Sequence, residues 1–265
     1  MTSFITNPPE MVLLIRMLVI STGVSLICLY LVQKYCTWLS LRDGGIFGTI
    51  FANTMPTLVG FIFAFVTVAA WQNHNTVSDN VSKEAHALFD LYQILGAYPS
   101  ETKKIGQAEI ISYTQAVINQ EWPNLSDGEM DVETFKKLER INALFMIHKA
   151  SNLNEVAIHN EGLRLVSVYR DLRRGRFENA VSFVGNPLWG ALVLSALFLI
   201  LFSAFFKTSN IRMHAVMMAL VGASLGVMFF LLALYDNPFS GPGAIKSTPF
   251  QKTLDSIAIV QKTSN

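Results

Sequence analysis

Charge is scarce in this sequence. Asp, Glu, Lys and Arg together make up 15% of its 265 residues, against roughly 25% in soluble domains. That excludes a chain held open by its own charge. With hydrophobic residues at 51% and a mean hydropathy of +0.39, it also argues against a wholly water-soluble protein. The formal net charge is +1, so there is no basic excess to attract nucleic acid, and none is expected as a partner. Cysteine is nearly absent. Cys28 and Cys36 are the two present; they cannot build a disulfide framework, and their spacing fits no zinc or redox motif. They read as small apolar fillers in or near lipid. Basic residues are missing from Met1 to Glu10, and no Ala-x-Ala site follows the first apolar run. That run is therefore expected to be a retained span rather than a signal peptide.

Long apolar runs are what the sequence has instead. Four of them, about 11–32, 46–70, 188–206 and 211–234, approach the 20 or so residues a helix needs to cross a bilayer core. Arg16 sits close enough to the start of its run to snorkel to the headgroups. Trp38, Trp71, Trp189 and Tyr235 fall near run ends, where amphipathic rings anchor a helix. Gly222 and Gly226 form a G-x-x-x-G step in the fourth run, a face small enough for close helix approach. Arg164, Arg170, Arg173, Arg174 and Arg176 precede the third run, and Lys246, Lys252 and Lys262 follow the fourth. The other side offers Lys34, Arg42, Lys207 and Arg212. The excess predicts that the middle segment and both termini are cytoplasmic.

The second run is unusual. It opens on Gly44, Gly45 and Gly48, includes Asn53, Thr54 and Pro56, and continues through Phe61, Phe63 and Phe65. Pro56 removes a helical hydrogen bond and predicts a kink. A polar, kinked stretch survives in hydrocarbon either packed on neighbouring helices or lining a cavity. Both readings stand at this point.

Between the second and third runs the pattern is helical, with no alternating strand signal. Ser78 and Asp79 are candidate N-caps for a helix with Val81, Ala85, Leu88, Tyr92 and Leu95 on one stripe, ended by Pro99. A second helix is predicted from Ser100 to Trp122-Pro123. A third starts near Asp131, with Phe135, Leu138, Ile141 and Phe145 on one face and Glu133 set to pair with Lys137. A fourth, from about Asn152 to Asn179, carries Val156, Leu163, Val166 and Tyr169 and runs on towards Pro187. After a turn at Asp236 to Gly241, Thr248-Pro249-Phe250-Gln251 reads as a capping box opening a short amphipathic helix. That helix is expected to dock on the bundle or to lie on the membrane.

The predicted fold class is thus all-α: a polytopic membrane protein with four transmembrane helices and a helical cytoplasmic domain inserted between the second and third. Its parts are a first hairpin at 1–71, the helical domain at 72–186, a second hairpin at 187–235 and a tail at 236–265. Enzyme chemistry finds no support. Gly222 to Gly226 matches G-x-S-x-G inside an apolar helix, where no nucleophile elbow forms. Gly241 to Ser247 lacks the glycine a phosphate loop needs before its lysine. The five histidines show no zinc spacing, and Glu155 with His159 reads as a solvated ion pair. No cofactor and no metal are expected.

The order of these segments resembles the bacterial bestrophin-like family of four-span membrane proteins. The residues that carry it run from Asp43 and Gly48 through Trp71, Glu84-Ala85, Leu88, Leu91, Tyr92, Tyr113 and Glu121-Trp122-Pro123. They continue with Arg170 and Arg173, Pro187-Leu188-Trp189, Asn210, Arg212 and His214, then Asp236 with Pro238-Phe239-Ser240-Gly241. Arg42 stands where the family pattern often has Asn. The resemblance implies kinship with bestrophins, pentameric anion channels whose second span lines a narrow apolar neck. It implies a multi-pass protein of the bacterial inner membrane, in contact with lipid and assembled as a homo-oligomer. Asn53, Thr54, Pro56, Phe61, Phe63 and Phe65 would then line the path of a small anion. No acidic run has the spacing of a Ca²⁺ loop. The alternative is a membrane-anchored scaffold or signalling subunit, with a partner docking on the Val81–Leu95 stripe and on faces around Glu84, His86 and Tyr113.

Overall fold

A computed structural model describes residues 10–36, 45–148, 150, 152–206 and 210–263 of the chain. Trp38, Arg42, Asp43, Gly44 and Lys207 lie outside them. The described chain is all-α, with eight α-helices: α1 Glu10–Tyr35, α2 Gly45–Leu95, α3 Ser100–Ala116, α4 Val132–Ile147, α5 Leu153–Glu178, α6 Asn186–Ala204, α7 Ile211–Tyr235 and α8 Thr248–Thr263. Four candidate membrane spans lie within α1, α2, α6 and α7, and α3, α4 and α5 stand between the second and the third. The chain forms two compact units: Met1–His74 with Ser182–Gly243, and Asn75–Val181 with Ala244–Asn265.

In the first unit the spans pack through a shared apolar core that includes Leu29, Val32, Val59, Phe63, Leu192, Leu199, Ile200, Met218 and Leu225. α7 lies against α1. A Cβ on Gly222 would stand 2.8 Å from the Ser21 carbonyl oxygen, and one on Gly226 2.9 Å from that of Met17. Glycine is the only residue that leaves room there, so the small face of α7 meets the backbone of α1 in the same chain. The buried Ser25 hydroxyl donates to the Met218 carbonyl at 2.7 Å across this contact. Asn210 caps α7, its side chain accepting from the amides of Arg212 and Met213.

α2 differs from the expectation. Ser78 and Asp79 do not start a new helix; the second span and the stripe helix are one continuous α2 of 51 residues, and Pro56 lies inside it. Ser82 spends its hydroxyl on the Ser78 carbonyl. Good N-cap residues confer no start signal where the preceding turn already supplies helical hydrogen bonds.

In the second unit the stripe of α2 (Val81, Ala85, Leu88, Leu91, Tyr92, Leu95) is buried, as are Ile110, Tyr113, Ile141, Phe145, Val166 and Tyr169. α3 loosens into a π turn, Val117–Glu121, and then a 3-10 turn, Trp122–Asp127. The α and π turns stop at Glu121, just ahead of Trp122-Pro123 where the sequence places the helix end, and the 3-10 turn follows with Pro123 in its first turn. Asp131 caps α4 by accepting from both the amide and the hydroxyl of Thr134 at 2.7 Å, and these bonds hold its carboxyl below the usual range. Glu133 pairs with Lys136 at 2.7 Å, not with Lys137, which reaches Ser112 on α3 instead. α8 docks on this unit. Phe250 is fully buried, meets Trp122 edge to face at 5.6 Å, and Thr253 donates to the Ala85 carbonyl. Its opening contact is Gln251 to the Ser247 hydroxyl, one residue before the predicted box.

Candidate functional site

Three arrangements carry polar or aromatic side chains with a purpose beyond filling space. The first is the outer face of α2 in the first unit. Asn53, Thr54, Pro56 and Thr57 are exposed, as are Phe61 at 58% and Phe65 at 72%. The two rings stack at 6.3 Å with 23° between planes, as helix neighbours four apart do. Phe63 does not join them. It is 1% exposed and packs edge-on against Phe229 at 4.9 Å. Residues two apart on a helix point about 200° apart, so the expectation that Phe63 shares a lining with Phe61 and Phe65 fails. Pro56 borders an open hollow of about 270 Å³ with Val59, Gly60, Leu220 and Ser224 among its walls.

The second closes the ends of the first unit's helices. The Asp236 carboxylate accepts from the Ser182 hydroxyl at 2.7 Å, the Val184 amide at 2.6 Å and the Trp189 indole at 2.9 Å. Its own carbonyl takes the Phe183 amide. Trp189 is therefore tied to a carboxylate as well as placed for anchoring. The turn after it needs Gly241, at φ 84°, and Phe239 donates its amide to the Asn237 side chain. The His74 ring hydrogen-bonds the Gly243 carbonyl at 2.9 Å. The motif residues Asp236, Pro238, Phe239, Gly241 and Trp189 thus share one corner. Trp71 on α2 is exposed.

The third is a charge network inside the second unit. Arg176, 1% exposed, grips Glu84 through Nε at 2.8 Å and Nη2 at 3.1 Å, and reaches Glu121 through Nη2 at 2.5 Å. Arg173 holds the other Glu121 oxygen at 2.7 Å. The Tyr169 hydroxyl donates to Glu84 at 3.1 Å and is hydrogen-bonded to that of Tyr113. Two carboxylates and two guanidiniums balance. Rings of Trp122, Phe177 and Phe250 lie 5.1–5.8 Å from the Arg176 guanidinium, and Phe135 and Phe177 flank that of Arg173. Burial opposes the charge on Arg176, but the Glu84 and Glu121 carboxylates outweigh it and raise its pKa. Burial, then the neighbouring carboxylates, raises the pKa of Tyr113, so the phenol stays protonated.

Glu84 and Tyr113 are fully buried, which removes them from the docking faces expected of a scaffold. Arg173 and Arg176 are neutralised in place, so two of the five arginines counted towards orientation serve the core; Arg170 forms an exposed pair with Glu139 at 3.8 Å. Glu155 and His159 are not the predicted pair: Glu155 accepts from the Asn152 side chain, and His159 bonds Tyr98. In the sequence Glu121 stands out only beside Trp122-Pro123 and Arg176 only in a run of arginines, although a signal for their pairing exists. Glu84 sits between Val81 and Leu88 at helical spacing, and Val166, Tyr169, Arg173 and Arg176 follow one another by three and four. Two apolar stripes that run into opposite charges mark a buried pair.

Residues 19–250 match the family description "Bestrophin-like domain". Two solved structures share the fold. One is a bacterial bestrophin homolog from Klebsiella pneumoniae bearing a point mutation, with a TM-score of 0.61 at 10% identity, covering 92% of this chain and 96% of that one. The other is a membrane protein bearing a point mutation, with a TM-score of 0.60 at 10% identity, covering 92% and 95%. At that identity the likeness is one of fold. No curated protein matches the sequence.

Proposed function

The chain belongs to the bestrophin-like family, and from that membership we propose that this multi-pass membrane protein works as a homo-oligomeric anion channel lined by α2. The observation that carries the reading is the exposed face of that helix. Asn53, Thr54, Thr57, Phe61 and Phe65 are exposed in the single chain, while Phe63 is locked into its core. An asparagine amide facing hydrocarbon costs free energy that water in a path, or a second copy, removes. Four spans are too few to enclose a path alone, so copies of α2 gather around an axis. Polar positions at Asn53 and Thr54 and a narrower aromatic stretch at Phe61 and Phe65 then form a constriction that gates by dewetting.

The scaffold reading has lost the surface assigned to it. The stripe from Val81 to Leu95, together with Glu84 and Tyr113, is interior, leaving His86 exposed.

Planar-bilayer recording of the purified protein tests the channel. Chloride current is expected, with conductance altered in Phe61→Ala and Phe65→Ala. Phe63→Ala is expected to cost about 3–5 kcal/mol of stability instead. Correctly folded protein that stays silent at both signs of voltage would overturn the reading.

A further inference from the structure

Beside the buried charge network, the second unit holds a group that neither the channel reading nor the core requires. His148 is the C-cap residue of α4, His159 lies early in α5, and Tyr98 sits in the turn between α2 and α3. Their rings converge. The centroids of His148 and His159 are 5.6 Å apart with 49° between planes. Tyr98 lies 4.6 Å from the His148 ring, and its hydroxyl is 3.0 Å from Nδ1 of His159.

Tyr98 is fixed in this position. Its ring meets Phe145 edge to face at 5.8 Å, and Gly162 leaves the space it needs. A Cβ there would stand 3.2 Å from the tyrosine hydroxyl and 2.6 Å from Phe145. Both histidines, by contrast, are half-exposed, so an ion from solvent reaches them. Among the described residues, Tyr98 is the one hydrogen-bond partner recorded for either imidazole.

We propose that His148 and His159 form a binding site for a divalent late transition-metal ion of the zinc class, with Tyr98 orienting His159. Two imidazoles that hold one tetrahedral ion at about 2.05 Å place their centroids about 5.2 Å apart, close to the separation found. Nδ1–H of His159 donates to the Tyr98 hydroxyl, which leaves the Nε2 lone pair for the metal. A second partner on the far nitrogen is how metal-ligating histidines are commonly held. Solvent supplies the remaining ligands, since no group of three or more His, Cys, Asp or Glu suited to a metal occurs among the described residues. The α4–α5 connection, not spacing along one helix, brings the ligands together. That is why the sequence shows no zinc motif. Bound metal would staple α4 to α5 and stiffen the unit.

Calorimetric titration of Zn²⁺ into the chelator-stripped full-length protein in detergent tests the site. One ion per chain is expected, with saturable binding lost in the His148→Ala, His159→Ala double variant. Tyr98→Phe should weaken it about tenfold, and His86→Ala should leave it unchanged. A second measurement needs no variant: Zn²⁺ should protect His148 and His159, but not exposed His86, from carbethoxylation mapped by mass spectrometry. Absence of saturable binding up to millimolar zinc, an undiminished site in the folded double variant, or equal labelling of all three histidines with and without metal would each overturn the proposal.

Discussion

Arg176 shows how much can depend on one side chain. Its guanidinium is shared by Glu84 and Glu121, so its removal leaves two carboxylates in a closed interior with only Arg173, on Glu121, still opposite them. A buried pair of this kind adds little net stability over an apolar replacement, but breaking it from one side is costly. We expect Arg176→Met to lower unfolding free energy by about 3–5 kcal/mol, read as the denaturation midpoint of the detergent-solubilised protein. Arg140→Ala, which breaks an exposed pair with Glu109, should change it by less than about 1 kcal/mol. Equal effects would deny the network its structural weight. Mutual recognition of four charges also penalises any slip of α5 against α2, because a shift by one turn strands every partner.

At the scale of elements, two helices owe their placement to local chemistry that propensity does not describe. α7 approaches α1 because Gly222 and Gly226 carry no side chain where Ser21, Met17 and Leu18 stand. Gly226→Leu should therefore cost at least about 1–3 kcal/mol through overpacking and lower the thermal midpoint. Leucine at Leu220, an exposed position on the same helix, already shows that bulk is tolerated on other faces. The second case is α3, whose last turns widen into π and then tighten into 3-10 geometry before Gly128 at φ 72°. That change of pitch is where Glu121 enters the core. A regular helix would put it at another angle, and π turns recur where a side chain must be re-aimed.

The whole molecule contains two units of different solvent preference. The first has apolar residues such as Met11, Val19, Ile27, Phe198 and Leu220 exposed on its spans, a surface suited to lipid. The second buries its apolar stripe and has exposed ion pairs such as Lys136–Glu133 and Arg164–Glu161. We propose that this second unit faces the cytoplasm, on the count of Arg164, Arg170, Arg174 and the tail lysines. A reporter inserted after Gly128 in intact cells should stay inaccessible to an impermeant label; labelling from outside would reverse the orientation.

Hydropathy and periodicity were enough to determine four spans, an all-α inserted segment and the stripe of α2; on α4 and α5 they found Leu138, Ile141, Phe145, Val166 and Tyr169, whereas Phe135 and Val156, read onto the same stripes, are exposed. Those features depend on near neighbours in sequence and on transfer from water, which a linear reading can sum. The continuity of α2 through Ser78, the inward turn of Phe63, the Glu84–Arg176–Glu121 network and the meeting of His148 with His159 were decided only in three dimensions. Each depends on which groups arrive from distant segments, because a carboxylate stays in a core only when a guanidinium comes to meet it.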